Sequence, residues 1–276
     1  TFNLLFSGNT YAGVNEPGVT SIKGQCAGAF KHYHKKHIEK SLKLIKEKKT
    51  NFVLYASCDS GSYSYAYNKG KDLDDLVKWY GKFSKWAEDK GVYDDMSIAI
   101  LTPYFNADLS ALDIVWVNNF PTQSAQYAAL NTWMTQGGPE LLKSLPVTNS
   151  RQMSTYQWVI STPADPEEGD MMVAVYSDCK FDEGYEGRKV YDLYKDFAIY
   201  AQSQGDTVGR KMIFPSSGYD GDADFVRLLY TSSIDGMGVN QELYWDKLEE
   251  SEASKNLKGF SCSNPREYIG RPMRGM

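Results

Sequence analysis

Two stretches of this chain follow one plan. The first runs from about residue 51 to 158 and the second from about 171 to 269. Each opens with an apolar run, residues 52–58 and 172–179, ending at Cys58 and Cys179, which stand 121 positions apart. Each continues through a polar, Gly/Tyr-rich stretch into an amphipathic segment. There Tyr80, Phe83, Trp86, Ala87 and Gly91 match Tyr194, Phe197, Tyr200, Ala201 and Gly205 at a constant offset of 114. Pro103 matches Pro215 at 112, Asp113-Ile114-Val115 matches Asp224-Phe225-Val226 at 111, and Trp133 and Tyr156 match Trp245 and Tyr268 at 112. The offset changes only where loops absorb length. A spacing kept across five elements reads as an internal duplication, and that reading constrains the fold more than any single motif.

Each unit reads as β-α-β-β-α-β. The first helix is expected over 72–90, with Leu73, Leu76, Val77, Tyr80, Phe83 and Ala87 at i, i+3, i+4 spacing and Gly91 as its stop. Its counterpart is expected over 187–204, stopped by Gly205. Strands are expected at 97–101 and 211–214, then at 112–117 and 225–231. Second helices follow at 122–134 and 239–248, and final strands at 152–160 and 267–271. That order is the split β-α-β, ferredoxin-like plan. Ile98-Ala99-Ile100-Leu101 is apolar on both faces, so the sheet must be covered on both sides.

In element order and spacing the chain resembles the dimeric α/β-barrel superfamily, over about 220 residues from Asn51 onward. The resemblance implies an α+β fold: two ferredoxin-like β-α-β-β-α-β repeats packed sheet-to-sheet as an intrachain dimeric α/β barrel, with an N-terminal extension. The expected divisions are 1–50, 51–162 and 170–276. The superfamily includes cofactor-independent monooxygenases, haem-dependent peroxidases and dismutases, and proteins without chemistry, so the fold alone does not choose a function. In such a sheet the first and last strands are neighbours. The resemblance therefore implies a Cys179–Cys262 bridge, leaving Cys26 for Cys58; the alternative is that Cys58 and Cys179 are symmetric core thiols.

The remaining features bound the function. Hydrophobic residues make up 42% and charged residues 24%, as in an ordinary globular chain. No apolar run approaches the ~18–20 residues of a spanning helix, so no integral membrane segment is expected. A net charge of −5 argues against a nucleic-acid partner. Four cysteines and a start without methionine suggest a periplasmic or secreted protein with its signal already removed. Segment 30–49 reads as a Lys-rich helix carrying His32, His34 and His37. His34 and His37 fall at i, i+3 and could share a metal, or haem iron could take one of them. Lys31, Lys35, Lys36 and Lys40 argue instead for a solvated basic face, and no cofactor is expected. Asp220, Asp222 and Asp224 resemble the opening of a calcium loop, but position twelve is Thr231, so an acidic turn is the simpler reading.

Aromatics are abundant, with 20 Tyr, 12 Phe and 6 Trp. Tyr63-Ser64-Tyr65-Ala66-Tyr67 is read as a loop after the first strand, at a barrel mouth. Asp59, Asp178 and Tyr63 are the candidates for acid–base work, and Tyr65, Tyr67, Trp116 and Tyr185 for ligand contact. The leading expectation is a small apolar or aromatic ligand held between the two sheets, by a binding protein or a cofactor-independent, monooxygenase-like enzyme. The alternatives are an exported interaction protein, self-associating or using its Tyr-rich loops, and a metal or haem protein using the histidines.

Overall fold

The computed structural model describes residues 57–164 and 170–274, and the side chains within them except at 57–61 and 150. The calls on 1–50, including Cys26, His34 and His37, lie outside the described residues. The first half comprises β1 (Ser57–Tyr67), α1 (Leu73–Glu88), β2 (Ser97–Pro103), β3 (Ile114–Phe120), α2 (Gln123–Thr135), the short α3 (Gly138–Leu142) and β4 (Val147–Ser161). The second comprises β5 (Met172–Phe181), α4 (Gly187–Ser203), β6 (Gly209–Ser217), β7 (Phe225–Thr231) and α5 (Ile234–Leu243), which runs into a π-helical turn at Tyr244–Leu248. The short α6 (Glu252–Lys255) and β8 (Phe260–Arg274) complete it.

Strand order is β1-β3-β2-β8-β5-β7-β6-β4, closed into a barrel with every neighbouring pair antiparallel. Each half contributes four consecutive strands in the same order. The halves meet edge to edge, β2 with β8 and β4 with β6, so they do not stack as two separate sheets. The reason is that an open four-stranded sheet leaves unpaired N–H and C=O groups along both edges, and closure pairs them. At the first seam a Cβ on Gly270 would run into the Leu101 side chain and the Ile100 carbonyl, which fixes a glycine there.

The strands alternate between two cores. Ala99, Leu101, Met172, Ala174, Ile213, Val226, Leu228, Tyr230 and Tyr268 join side chains from both halves inside the barrel. Their neighbours in sequence face outward beneath helices. In the first half Ile98, Ile100, Ile114 and Trp116 meet Leu76, Trp79 and Phe83 of α1. In the second half Cys179, Met212 and Phe225 meet Val190, Tyr194 and Phe197 of α4. Each such fully buried side chain contributes about 1.5–3 kcal/mol of hydrophobic stabilisation. Asp72 and Thr122 cap α1 and α2 by accepting from Asp75 N and Ala125 N, each at 3.1 Å. Past the ends of α1 and α4, Gly91 (φ +67°) and Gly205 (φ +102°) take the left-handed conformation that stops a helix.

Three expectations change. Residues 63–67 are strand, not loop, because Ser/Ala and Tyr alternate with the period of two that one strand face needs. The strands at both barrel seams are longer than their apolar cores suggested: β4 and β8 each run 15 residues, because ladder pairing satisfies polar backbone regardless of side chain. The counterpart of Cys179 is Tyr65, not Cys58. Asp113 N donates to Tyr65 O and Asp224 N to Cys179 O, each at 2.9 Å. Asp113 and Asp224 carboxylates also accept from Tyr67 N and Phe181 N. The offset between the first strands is therefore 114, the same as between the first helices.

Cys179 and Cys262 face each other across β5 and β8 and are bridged, with Cα atoms 4.1 Å apart and a sequence separation of 83. Of the Cys58 side chain nothing is described. Cys179→Ala with Cys262→Ala should cost about 2–4 kcal/mol, because the bridge closes a long loop in the unfolded chain. Urea unfolding of the double variant checks this, and an unchanged midpoint would show that the bridge carries no stability.

Candidate functional site

Because α1 and α2 cover only part of the outward face of β1 and β3, a cavity of about 500 Å³ remains between them. Tyr63 and Tyr65 of β1 and Trp116, Asn118 and Phe120 of β3 form its floor. Trp79 and Phe83 of α1 and Gln126, Ala129 and Trp133 of α2 form its walls. It therefore lies outside the barrel, under the first helical layer. A ligand between the two sheets was the expectation; this cavity lies on the other face of the strands, away from the shared core.

The aromatic lining is ordered by ring contacts. Tyr63 stacks on Tyr65 at 6.2 Å, and Trp116 meets Trp79 and Phe83 edge to face at 5.9 and 5.8 Å. Asn118 is the polar hub of the floor. Its Oδ1 accepts from Trp116 Nε1 at 2.6 Å, and its side chain also bonds Tyr63. Burial pushes the hydroxyls of Tyr63 and Tyr65 up from the usual phenol range, with the Asn118 bond partly offsetting this at Tyr63 and neighbouring Tyr63 adding to it at Tyr65. Both stay neutral at physiological pH. Tyr93 donates to Ala129 O at 2.8 Å. Gln126 Oε1 is buried and has no hydrogen-bond partner. No described lining residue carries a charge.

Of the residues singled out from sequence, Tyr63, Tyr65 and Trp116 come together in this cavity. Tyr67 packs against the same cluster without lining the cavity, and burial, with Asp113 and Asp72 adding, pushes its hydroxyl up to about 12. Tyr185 belongs to the second half, against Gly259, with the Lys189 ammonium 4.0 Å from its ring centre. Asp59 lies on β1 opposite Phe120 and Tyr156. Asp178 is held bidentately by Arg266 (2.8 Å for each bond) and by Asn264 (2.8 Å). The three aspartates read as an acidic turn pair separately: Asp220 with Arg151, Asp222 with Lys180, and Asp224 with Phe181 N. Among the described residues no group of three or more His, Cys, Asp and Glu is placed to hold a metal ion. The described cavity lining includes no histidine and no thiol.

Sequence reading missed Asn118 and Gln126. The expected strand stopped at 117, ahead of Asn118, as the depletion of Asn in strands suggests, and the expected helix over 122–134 gave Gln126 no role. The one available signal was a polar pair interrupting an apolar strand ahead of the Phe120-Pro121 turn. The second half carries other residues at the matching positions. Tyr63, Tyr65 and Trp116 correspond to Ser177, Cys179 and Arg227, so the disulfide takes the place of a cavity tyrosine.

No family model and no curated protein matches the chain. Solved structures do. A candidate chlorite dismutase shares 13% identity, with 79% of this chain and 96% of that chain covered and a TM-score of 0.45. A double mutant of the chlorite dismutase from Candidatus Nitrospira defluvii shares 12% over 78% and 92%, at 0.44. A cyanide complex of another mutant of that enzyme shares 14% over 78% and 91%, at 0.40. Likeness at this level carries no argument about chemistry. The class defined by this chain's own geometry is a closed antiparallel α+β barrel with a neutral aromatic cavity under one helical layer.

The Asp178 pair gives a pH test. Desolvation raises its pKa, but the Arg266 and Asn264 bonds and the Arg266 charge outweigh it, so the folded value lies below the usual 3.8. Between the two values the unfolded state binds more protons. The contribution is complete above about pH 4 and is lost as pH falls through the folded value. Wild type should therefore exceed Asp178→Asn in stability near neutrality, with the gap narrowing below about pH 4. Urea unfolding at several pH values reads this out, and a gap independent of pH would contradict the pairing.

Proposed function

We propose that this protein binds a small apolar or aromatic molecule in the cavity between α1, α2 and the outer face of β1 and β3. The observation that carries the reading is the cavity itself: about 500 Å³, walled by tyrosine, tryptophan and phenylalanine, with a few uncharged polar groups. That volume lies within the range of small-molecule sites, and an apolar wall with sparse polar groups is their usual composition. The strand order of the two halves supports reading the chain as two ferredoxin-like repeats joined into one α/β barrel. The Cys179–Cys262 bridge supports an oxidising compartment as its working place. Among the described residues no helix is long and apolar enough to cross a membrane.

The reading is of binding first. Tyr63, bonded to Asn118, and Trp116, bonded to the same amide, supply positioned hydrogen bonds without a charged group. That arrangement supports a second reading, a cofactor-independent oxygenation of an electron-rich aromatic held on the same floor. Tyr65 then serves as a contact face beside Tyr63, and Asp178 as a charge fixed in a structural pair.

Trp79, Trp116 and Trp133 line the site, so occupancy should quench or shift tryptophan fluorescence. Neutral bicyclic aromatics should titrate this signal to saturation. Ala129→Leu places a larger side chain in the cavity and should weaken binding at least about tenfold, the equivalent of ~1.4 kcal/mol, with an unchanged melting temperature. Equal affinity in the variant would remove the cavity from the reading.

A further inference from the structure

We infer that the cavity selects neutral aromatic molecules bearing a hydrogen-bond donor, phenols or indoles, and that Gln126 Oε1 receives that donor. The inference rests on the binding reading above and names the ligand's chemistry. Several polar groups of the aromatic floor and wall already have partners. Trp116 Nε1 is taken by Asn118, Tyr63 bonds the same amide, and Tyr93 is taken by Ala129 O. Trp79 Nε1, on the α1 wall, donates to Leu141 O at 3.0 Å. Among the described lining residues, Gln126 leaves a buried side-chain oxygen without a partner. A buried acceptor without a partner costs about 1–3 kcal/mol, so a ligand that supplies the donor recovers energy that a plain hydrocarbon cannot.

Charge is the second discriminator. Among the described residues the lining holds no lysine, arginine, aspartate or glutamate. An anion would enter without a counter-charge and pay its desolvation in full. A cation would find ring faces, which attract it, but no carboxylate. The ring faces are largely committed to one another: Trp116 to Trp79 and Phe83, and Tyr63 to Tyr65. What remains open is a largely apolar space with a buried acceptor that lacks a donor, which matches a planar ring carrying one O–H or N–H.

The test uses one ring system with different substituents on the full chain, read by calorimetry: 2-naphthol, 2-methylnaphthalene, 2-methoxynaphthalene, 2-naphthoate and 1-naphthylmethylammonium. The expected order places 2-naphthol about tenfold tighter than the methyl and methoxy compounds, with the two ions weakest. Gln126→Met should abolish the tenfold preference while leaving 2-methylnaphthalene binding within about twofold, which also shows that the variant is folded. Gln126→Leu should behave in the same way. Equal binding of 2-naphthol and 2-methylnaphthalene by wild type would overturn the donor inference and leave the cavity reading intact. Methoxy binding equal to naphthol, or tightest binding by either ion, would overturn it as well. Failure of all five compounds to bind would overturn both.

Discussion

The two seams, β2 with β8 and β4 with β6, are the constraint on which the other features depend. They convert two four-stranded sheets into one closed barrel and leave no edge unpaired. Closure assigns every strand residue to one of two environments. Inward residues share one core across both halves, and outward residues must be covered by helices. The outward face of each half is thus a separate apolar surface with its own cover, free to diverge without disturbing the shared interior. Gly270 marks how tight the first seam is, since no side chain fits where β8 passes Leu101.

That freedom has been used. Under α4 in the second half, Trp158 meets Tyr191 and Phe214 edge-on, Phe181 packs on Phe225, and the disulfide sits beside them. A buried ion pair, Asp206 with Arg210, doubly bonded at 2.7 Å, joins the end of α4 to the start of β6. In the first half the same layer keeps large rings at Tyr63, Tyr65 and Trp116, but its helices leave them partly uncovered. The disulfide and the buried ion pair lie in one half and the described cavity in the other. The division follows from single residues at equivalent positions, chiefly Tyr65 against Cys179 and Trp116 against Arg227.

Much of the fold was legible in sequence because it is periodic. The helix at 73–88 announced itself by apolar spacing and by Gly91, and its copy by the same pattern 114 residues later. Tyr63, Tyr65 and Trp116 were legible as candidate aromatics, and the cavity joins them. What was hidden depended on register. Anchoring the repeat on Cys58 rather than Tyr65 was an error of seven positions that only the strand pairing reveals. It also turned a tyrosine-bearing strand into a loop. The face that carries the cavity was equally hidden, because Tyr63 and Ser64 point to opposite sides of β1 and no composition states which side is the barrel's interior. Gln126 could not be found at all from sequence. A glutamine on a helix gives no sign that the neighbouring helix will bury its oxygen.

The account's central claim is that the functional cavity lies outside the barrel, between the helical layer and the sheet of the first half. A crystal structure of the full chain grown with 2-naphthol tests it most directly. The account predicts ligand density against Trp116 and Tyr63, beneath α2, with the naphthol oxygen within hydrogen-bond distance of Gln126. Density among Tyr176, Tyr230 and Tyr268 inside the barrel, with the outer cavity empty, would contradict it.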